Sequence, residues 1–436
     1  MNCIQPRRLF SFLLLALFCF FSVSTSLAQS IEKEVRQPKN QTQNARLGFL
    51  AVVGDSLSAG FQNGSLLDRQ QRNGYAALVA RQARTPLVQP LIAAPGIPNV
   101  LTLVSPGPPP IIVPAPGVST GRDDPFLPVT NLAVPGANLR DALSTRPDMP
   151  IDSLTDLVLG VPWLYFGVSK SQVEFAELYH PQTLIVWIGN NDALGAALSG
   201  DASHLTPLAQ FQSDYSQLLN RLAATRAKLI VANIPDVTAV PFLISAEDLA
   251  AQIGLPLAVI GPILGIRAGE YVTPSALPLI AGILANPSTG PLPPNVVLNT
   301  TEVSAVRAAV NNYNAVIAAK VAEKNGILVD INALISGVKA NGYPLGDGRV
   351  LQTRFLGGLF SLDGVHPTNT GYAIIANEFI RRINQRYGLS IASVNVLAVA
   401  NADPLVPGNF LAAPTPATMI SEDAAKSLQT IFKLDQ

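Results

Sequence analysis

Short apolar runs, each ended by a small or polar residue, recur along this 436-residue chain and constrain its fold more than any other feature. Residues 47–53 form one such run, rich in β-branched side chains, and Gly54 ends it. Further runs of this kind lie at residues 183–188, 228–232 and 327–329. Continuous apolar runs of this length are typical of strands in a parallel sheet, because such strands are buried on both faces.

Longer stretches between these runs have apolar residues at three- and four-residue spacing, which is typical of amphipathic helices. They cover residues 211–227, 301–324 and 369–386. Buried strands that alternate with amphipathic helices predict an α/β fold, a three-layer αβα sandwich around a mostly parallel sheet, over residues 47–389. In such sheets ligands bind outside the carboxyl ends of the strands, so we expect a functional site there.

Two segments break this alternation and are predicted to be insertions, at about residues 85–130 and 242–300. Between Thr85 and Gly121 the first has no ionisable side chain and many prolines, which exclude a regular helix and favour extended chain. The second has apolar stretches of helix length at residues 255–266 and 276–284, each too short to span a membrane. We expect the two insertions to lie near the functional site and to form an apolar surface for substrate or for a membrane.

The first residues of the chain predict export. Residues 1–28 contain two arginines, an apolar run at residues 9–23 and small residues that end at Ala28. This arrangement is typical of a secretory signal peptide, with cleavage after Ala28. The expected location is therefore periplasmic, outer-surface or secreted.

Two further segments are predicted to lie outside the folded domain. Residues 29–46 are expected to form a flexible leader, and residues 390–436 a C-terminal tail without catalytic features. Cys3 and Cys19 are the only two cysteines, and both lie in the predicted signal peptide. The exported protein is therefore expected to depend on its apolar core instead of disulfide bonds.

Four short polar motifs occur along the chain in an order that suggests shared chemistry. They are Gly54-Asp55-Ser56-Leu57, the segment Asn131–Gly136, Gly189-Asn190-Asn191-Asp192 and Asp363-Gly364-Val365-His366. Each motif alone is ordinary loop chemistry, because Gly, Asn, Asp and Ser all favour turns. Together they predict a serine hydrolase site at the rim of the sheet.

Ser56 is the candidate nucleophile of this site. A serine hydroxyl needs a base, and His366, one of three histidines in the chain, is the candidate for that role. Asp363 lies three residues earlier in a predicted turn, where its carboxylate can accept the proton of the imidazole Nδ1. That bond would leave Nε2 to take the proton of Ser56.

The four motifs resemble the signature blocks of the SGNH (GDSL-type) esterase and lipase superfamily, and the resemblance spans residues 47–389 apart from the two insertions. It implies an SGNH-hydrolase-like, flavodoxin-like fold and a GDSL-type carboxylic ester hydrolase that works through an acyl-enzyme intermediate. The catalytic residues that it implies are Ser56, Asp363 and His366. The oxyanion hole that it implies consists of the backbone amides of Ser56 and Gly136 and the side-chain amide of Asn191.

Three other candidate residues receive less weight. Ser119 lies in Gly117-Val118-Ser119-Thr120-Gly121, which matches the Gly-x-Ser-x-Gly elbow of α/β-hydrolases. That elbow requires a preceding strand and a following helix, whereas this one is predicted to lie in a proline-rich loop. Asp55 and Asp192 are interpreted as structural carboxylates that bond loop amides.

Composition excludes several other function classes. The formal net charge is zero, and no basic patch predicts nucleic-acid binding. His180 and His204 have no partner at metal-ligand spacing, and no phosphate-binding glycine loop occurs, so neither a metal nor a cofactor is expected. The expected partners are a small-molecule or lipid ester and, through the insertions, a membrane surface.

The motifs alone do not identify which ester is the substrate. The apolar insertions favour a lipid or medium-to-long acyl ester, because burying each methylene contributes about 0.8 kcal/mol. Two alternatives stay open. One is a carbohydrate acetylesterase, against which the 6% content of aromatic residues argues mildly. The other is a non-catalytic exported protein that binds a surface through its insertions.

Overall fold

The computed structural model describes residues 46–107 and 110–410. The predicted signal peptide, the leader up to residue 45 and residues 411–436 lie outside the described residues. The predictions made for those segments therefore stay predictions.

The strands are β1 (Leu50–Gly54), β2 (Leu101–Ser105), β3 (Ile111–Pro114), β4 (Thr183–Trp187), β5 (Lys228–Ala232), β6 (Ile244–Ser245), β7 (Tyr271–Val272), β8 (Val297–Leu298), β9 (Ile327–Val329), β10 (Tyr343–Pro344) and β11 (Val350–Leu351). The helices are α1 (Ser56–Ala59), α2 (Asp68–Gln71), α3 (Tyr75–Gln82), α4 (Leu139–Ser144), α5 (Gln172–Tyr179), α6 (Asn191–Ser199), α7 (Leu208–Ala224), α8 (Ala246–Ile253), α9 (Leu257–Leu264), α10 (Leu277–Ala285), α11 (Thr300–Glu323), α12 (Ile331–Asn341), α13 (Asn369–Tyr387) and α14 (Val396–Ala402).

A parallel sheet forms the middle layer, with strand order β1-β4-β5-β9. On the free side of β1, Asn131 pairs in parallel with Val52. This extended segment lies where a flavodoxin-like sheet has its edge strand. The predicted runs at residues 228–232 and 327–329 coincide with β5 and β9, whereas β1 begins at Leu50.

Alternate side chains of the four strands of this sheet point into two separate cores, one on each face. One core contains Val53 and Val186 and is covered by α4, α5, α6, α7 and α11. The other contains Val52 and Ile185 and is covered by α3 and α13. Because each strand is covered on both faces, its sequence is apolar throughout. The predicted three-layer α/β fold is confirmed.

The three helices predicted from their spacing are present with small shifts at their ends. The first, α7, begins three residues earlier than predicted, after Pro207. The second, α11, begins after Asn299, which forms a capping box with Glu302. The third, α13, is capped by Thr368 and ends at Gly388, which has a positive φ.

The first insertion contains an antiparallel hairpin of β2 and β3. Its sequence predicts extended chain but does not predict this pairing. Residues 108 and 109, in the connection between the two strands, lie outside the described residues. Val104, Ile111 and Val113 are exposed on the hairpin, at 62%, 52% and 41% of their surface.

The second insertion packs largely on itself. Strands β6, β7 and β8 form a small antiparallel sheet, and α8, α9 and α10 pack beside it around their own apolar cluster. The two predicted apolar stretches correspond to α9 and α10. Within the part of the chain that the structure describes, no single helix is long and apolar enough to cross a membrane, and only α8 and α9 together, bent by 109°, reach that length.

The packed part of the chain continues beyond residue 389. Ile391 and Val394 lie in the core that α13 covers. Asp403, just after α14, accepts hydrogen bonds from the backbone N–H and the hydroxyl of Thr370 at 2.9 and 2.8 Å. These contacts attach the segment after residue 389 to the first turn of α13.

Candidate active site

The turn after β1 presents Ser56 at the first position of α1. Asp55 caps this short helix, because its Oδ1 accepts the N–H of Leu57 at 3.1 Å. Gly54 is required before the turn, since a Cβ there would lie 2.3 Å from the Ser58 hydroxyl and 2.6 Å from the Trp187 carbonyl. Ser56 is thereby held at the carboxyl end of β1 and is only 3% exposed.

The loop before α13 brings His366 to Ser56. Nε2 of His366 lies 2.8 Å from Oγ of Ser56, although 310 residues separate them along the chain. The imidazole also packs against Phe61, with ring centroids 4.7 Å apart. This pair is therefore held at hydrogen-bonding distance, next to an aromatic ring.

Asp363 lies behind His366 and is fully buried. Its Oδ2 is 3.1 Å from Nδ1 of His366 and accepts the N–H of Gly64 at 2.8 Å. Its Oδ1 accepts the backbone N–H groups of Val365 and His366 at 2.9 and 2.8 Å. Burial alone would raise the pKa of the Asp363 carboxyl, but the charge of His366 and these donors outweigh it and lower that pKa below its ordinary value.

Asn191 begins α6 directly after the turn that follows β4. Its Nδ2 donates to the carbonyl of Ala137 at 2.8 Å, which connects it to the loop that contains Gly136. That loop is fastened in turn to the Ser56 turn, because Asn131 Nδ2 donates to the carbonyl of Ser58 at 2.9 Å. The polar ends of two neighbouring strands and the loop beside them thus form one connected rim.

The predicted site residues are brought together with one difference in placement. Ser56, Asn191 and His366 line a common cleft, and Asp363 supports it from behind. Gly136 has a φ of +79° and lines a neighbouring cavity of about 190 Å³ instead. It adjoins the cleft through Ala137, the next residue, which bonds Asn191.

The cleft beside Ser56 and His366 is mostly apolar. Its volume is about 50 Å³, smaller than that of the neighbouring cavity. Its apolar lining consists of Leu57, Trp187, Leu194, Pro235, Val237, Ala239, Val240, Ile331, Ile335, Phe360, Val365, Pro367 and Ile375. Asp236 is the only carboxylate in the lining. A lining of this character suits an apolar group bound next to the polar atoms of Ser56 and His366.

Asp55 and Asp192 both bond loop amides, as their structural interpretation predicts. Asp55 also accepts from Asn190 Nδ2 at 2.7 Å. Asp192 accepts the backbone N–H of Leu139 at 2.9 Å and the hydroxyl of Thr206 at 2.8 Å. Burial raises the pKa of Asp55 to about 6 and that of Asp192 to about 7.

The remaining candidates have other contacts. The hydroxyl of Ser119 donates to the carbonyl of Ala93 at 2.7 Å and accepts the N–H of Gly121 at 3.2 Å. His204 contacts the Ser199 hydroxyl through Nδ1 at 2.8 Å, on the surface. Among residues 46–107 and 110–410, no group of three or more His, Cys, Asp or Glu side chains is arranged to hold a metal ion.

Sequence reasoning missed two parts of the site. One is Asn190, whose amide links Asp55 to the strand beside it. The other is the turn at Asn63 and Gly64, which contacts the loop of Asp363. An Asn-Gly pair is a signal for a tight hairpin turn, so the turn was predictable. Its contact with a loop about 300 residues away was not.

Two solved structures are similar to this chain at low sequence identity. LAE5, an α/β hydrolase from the metagenome of Lake Arreo, Spain, is 14% identical with a TM-score of 0.36, over 76% of this chain and 93% of that chain. A mutant of Axe2, an acetyl-xylooligosaccharide esterase from Geobacillus stearothermophilus, is 15% identical with a TM-score of 0.37, over 80% of this chain and 100% of that chain. No curated protein matches the sequence.

A model of one protein family matches residues 50–379, which contain all four polar motifs. That family is described as GDSL-like lipase/acylhydrolase. The match covers most of the chain and agrees with the resemblance that the motifs carry. The protein belongs to the GDSL-like lipase/acylhydrolase family and is a carboxylic ester hydrolase.

Proposed function

We propose that the protein cleaves acyl or lipid carboxylic esters through an acyl-enzyme intermediate. Ser56 is the nucleophile, His366 is the base, and Asp363 orients the imidazole. The observation that carries this proposal is the pair of contacts made by His366, 2.8 Å from Nε2 to the Ser56 hydroxyl and 3.1 Å from Nδ1 to Asp363.

The chemistry follows from the direction of these contacts. Asp363 holds the proton of His366 on Nδ1, so Nε2 accepts the Ser56 proton as Oγ attacks the acyl carbon. His366 then returns that proton to the leaving alcohol, and the acyl group stays on Ser56. A water molecule, deprotonated by the same nitrogen, hydrolyses the acyl-enzyme and restores the Ser56 hydroxyl.

The negative oxygen of each tetrahedral intermediate needs hydrogen-bond donors. The donors in this proposal are the backbone N–H groups of Ser56 and Gly136 and the side-chain amide of Asn191. The Asn191 amide nitrogen carries two hydrogens, and its bond to the carbonyl of Ala137 uses one of them. That bond supports the role by fixing the direction of the second hydrogen.

The preference for apolar acyl groups is supported by the lining of the cleft. Leu57, Val240 and Ile335 are among the apolar side chains next to Ser56 and His366. Each methylene buried against them contributes about 0.8 kcal/mol, or about a fourfold gain in binding. An acetyl group has too little apolar surface to gain from such a cleft.

The decisive experiment is labelling with a fluorophosphonate, which reacts with activated serines. We expect stoichiometric labelling of the wild-type protein and of Ser119→Ala, and none of Ser56→Ala. Ester hydrolysis should fall by about 10⁴- to 10⁶-fold in Ser56→Ala. Labelling that survives in Ser56→Ala, or disappears in Ser119→Ala, would overturn the assignment.

The acyl preference is tested with a series of p-nitrophenyl esters from acetate to decanoate. We expect kcat/KM to rise from acetate to octanoate. Preference for acetate, together with release of acetate from acetylated oligosaccharides, would favour a carbohydrate acetylesterase. Enlarging Ile335 to tryptophan should reduce hydrolysis of octanoate more than that of acetate.

We also propose that the protein is exported and that its first insertion touches the lipid surface from which the ester is taken. The exposed apolar side chains of Val104, Ile111 and Val113 support the contact. Flotation with phosphatidylcholine vesicles should be lost in a Val104→Asp, Ile111→Asp double variant. It should persist in Val350→Asp, whose site is 49% exposed but on β11. Amino-terminal sequencing of the secreted protein tests the export.

A further inference from the structure

The turn at Asn63 and Gly64 has the backbone of a tight hairpin turn. Gln62 and Ser65 exchange both of their backbone hydrogen bonds at 3.1 Å. The two residues between them have positive φ angles, +52° for Asn63 and +69° for Gly64. Positive φ at both central positions defines a type I′ turn, for which Asn-Gly is the preferred pair.

This turn makes three hydrogen bonds to the loop that holds Asp363. The N–H of Asn63 donates to the hydroxyl of Ser361 at 2.9 Å. The side-chain oxygen of Asn63 accepts the N–H of Leu362 at 3.0 Å. The N–H of Gly64 donates to Oδ2 of Asp363 at 2.8 Å, the same oxygen that faces His366.

The bond from Gly64 comes from a different part of the chain than the other backbone bonds of Asp363. Both donors to Oδ1 come from the carboxylate's own loop, at Val365 and His366, and move with it. Gly64 lies 299 residues away in the chain. Its bond therefore fixes where the carboxylate sits relative to the rest of the protein.

The turn is also part of the segment that carries the nucleophile. The N–H of Phe61 donates to the carbonyl of Ser56 at 3.0 Å, and the Phe61 ring packs on His366. The hydroxyl of Tyr372 holds the carbonyl of Phe61 at 2.7 Å. The segment from Ser56 to Ser65 thus contains the nucleophile at one end and contacts Asp363 near the other.

We propose that the Asn63–Gly64 turn is a positioning element that sets the Asp363 carboxylate against His366 and so holds the imidazole at Ser56. This inference rests on the proposed roles of Ser56, His366 and Asp363. Neither Asn63 nor Gly64 touches the reacting atoms, and both act through Asp363. Because small errors in the placement of catalytic groups are costly, loosening the turn reduces the chemical step more than substrate binding.

Two substitutions remove different bonds of this contact. Asn63→Gly keeps the left-handed backbone available and removes only the oxygen that holds Leu362. Ser361→Ala removes the acceptor of the Asn63 N–H. The matched control is Asn325→Gly, because Asn325 also precedes a glycine and has a φ of +53°. Its side chain accepts from Arg386, on the surface.

Steady-state kinetics with p-nitrophenyl butyrate give the main result. Asn63→Gly and Ser361→Ala should each lower kcat about tenfold and change KM less than about twofold. Asn325→Gly should leave both constants unchanged. Asn63→Asp, which keeps an oxygen at the position that faces Leu362, should recover most of the lost kcat.

Proton NMR gives a result that a general loss of stability would not produce. A proton held between Nδ1 of His366 and Oδ2 of Asp363 resonates far downfield. That signal should be sharp in the wild type and in Asn325→Gly, and broadened or lost in Asn63→Gly at a temperature where both variants are folded.

Several outcomes would overturn the inference. Wild-type kcat in Asn63→Gly would do so, as would an equal loss in Asn325→Gly or a loss confined to KM. If Asn63→Gly does not fold, Ser361→Ala decides by the same criteria. An active Ser56→Ala protein would instead remove the proposed function itself, whereas an inactive one beside fully active Asn63→Gly would remove only the positioning role.

Discussion

The parallel sheet and the second insertion are both built from apolar segments, yet the rim of the sheet buries polar side chains and the insertion buries few. At the rim, the ends of β1 and β4 and the loop before α13 bury polar side chains, which include Asp55, Asp363 and His366. The apolar cluster of the insertion draws its buried residues from one continuous segment, residues 244–297. Strands from distant parts of the chain share the sheet, whereas the insertion is packed from its own neighbours.

This difference shows where stability supports function. Burying a carboxylate or an imidazole is costly unless it is bonded, and the rim satisfies Asp363 with four contacts from two distant segments. The insertion buries mainly aliphatic side chains, which need no partner. We therefore expect substitutions in the insertion to destabilise only the insertion, and substitutions in the sheet to destabilise the whole domain.

The largest expected effect compares the same truncation in the two regions. Ile185, in β4, and Ile260, in α9, are both fully buried. Ile185→Ala should lower the free energy of unfolding by about 2–5 kcal/mol, because it leaves a cavity in a core shared by several elements. Ile260→Ala should loosen only the insertion, so hydrogen exchange should rise at residues 244–298 while the sheet amides stay protected. Equal exchange in both regions would mean that they unfold as one unit.

A smaller effect, on activity alone, is expected when an asparagine of the rim is replaced, and none is expected when an asparagine of the insertion is replaced. Asn191→Ala removes a proposed oxyanion donor and should lower kcat by about 10²- to 10³-fold, or about 3–4 kcal/mol, with little change in KM. Asn286→Ala removes an asparagine that bonds only its own turn, at Ser288, and should leave kcat unchanged. Steady-state kinetics of the two variants decide the comparison. Similar losses in both would argue against a donor role for Asn191.

The effect that is smallest per step of the measurement is a pH dependence of stability that originates at the rim. Burial raises the pKa of Asp192 from 3.8 to about 7. Between those values the folded protein keeps a proton that the unfolded chain has released, so the free energy of unfolding falls as pH rises and levels off above about 7. Asp192→Asn can keep the bonds to Leu139 and Thr206 and should flatten this fall by on the order of 1 kcal/mol per pH unit.

Urea unfolding at several pH values measures this slope, with Glu174→Gln as a control of opposite sign. Arg146 lowers the pKa of Glu174 from 4.5 to about 2, so the stabilisation that Glu174 contributes is lost as pH falls through that range. Glu174→Gln should therefore change the slope only between about pH 2 and 4.5 and leave the slope between pH 5 and 7 unchanged. An unchanged slope between pH 4 and 7 in Asp192→Asn would show that its carboxyl does not retain a proton in the folded state.

The same two regions show how much of the fold could be predicted. The strands at residues 228–232 and 327–329 have the predicted bounds. Short apolar runs that are rich in β-branched residues and bounded by polar residues are typical of buried strands. The apolar stretches of the insertion were predicted to have helical length, and α9 and α10 lie there. The small sheet of β6, β7 and β8 was not predicted, because its two-residue strands are too short to show a period.

The candidate site divides in a similar way. The resemblance of four motifs named Ser56, Gly136, Asn191, Asp363 and His366, and the rim assembles them, with Gly136 on the neighbouring cavity. The supporting contacts were not foreseen. Asn190 bonding Asp55, and the Asn63–Gly64 turn bonding Asp363, join segments that no local pattern relates.

The alternation of buried strands and amphipathic helices, the order of the polar motifs and the apolar character of both insertions can be read directly from the residues. These are local properties, set by side-chain periodicity and turn chemistry. Three features follow from tertiary packing instead. They are the donors that fill the four contacts of Asp363, the connection of Asp363 through the Asn63–Gly64 turn to the segment of Ser56, and the separate core of the second insertion. Such contacts require atoms of residues hundreds of positions apart to lie within a few tenths of an ångström of hydrogen-bonding distance, and that placement is set by the packing of the whole domain.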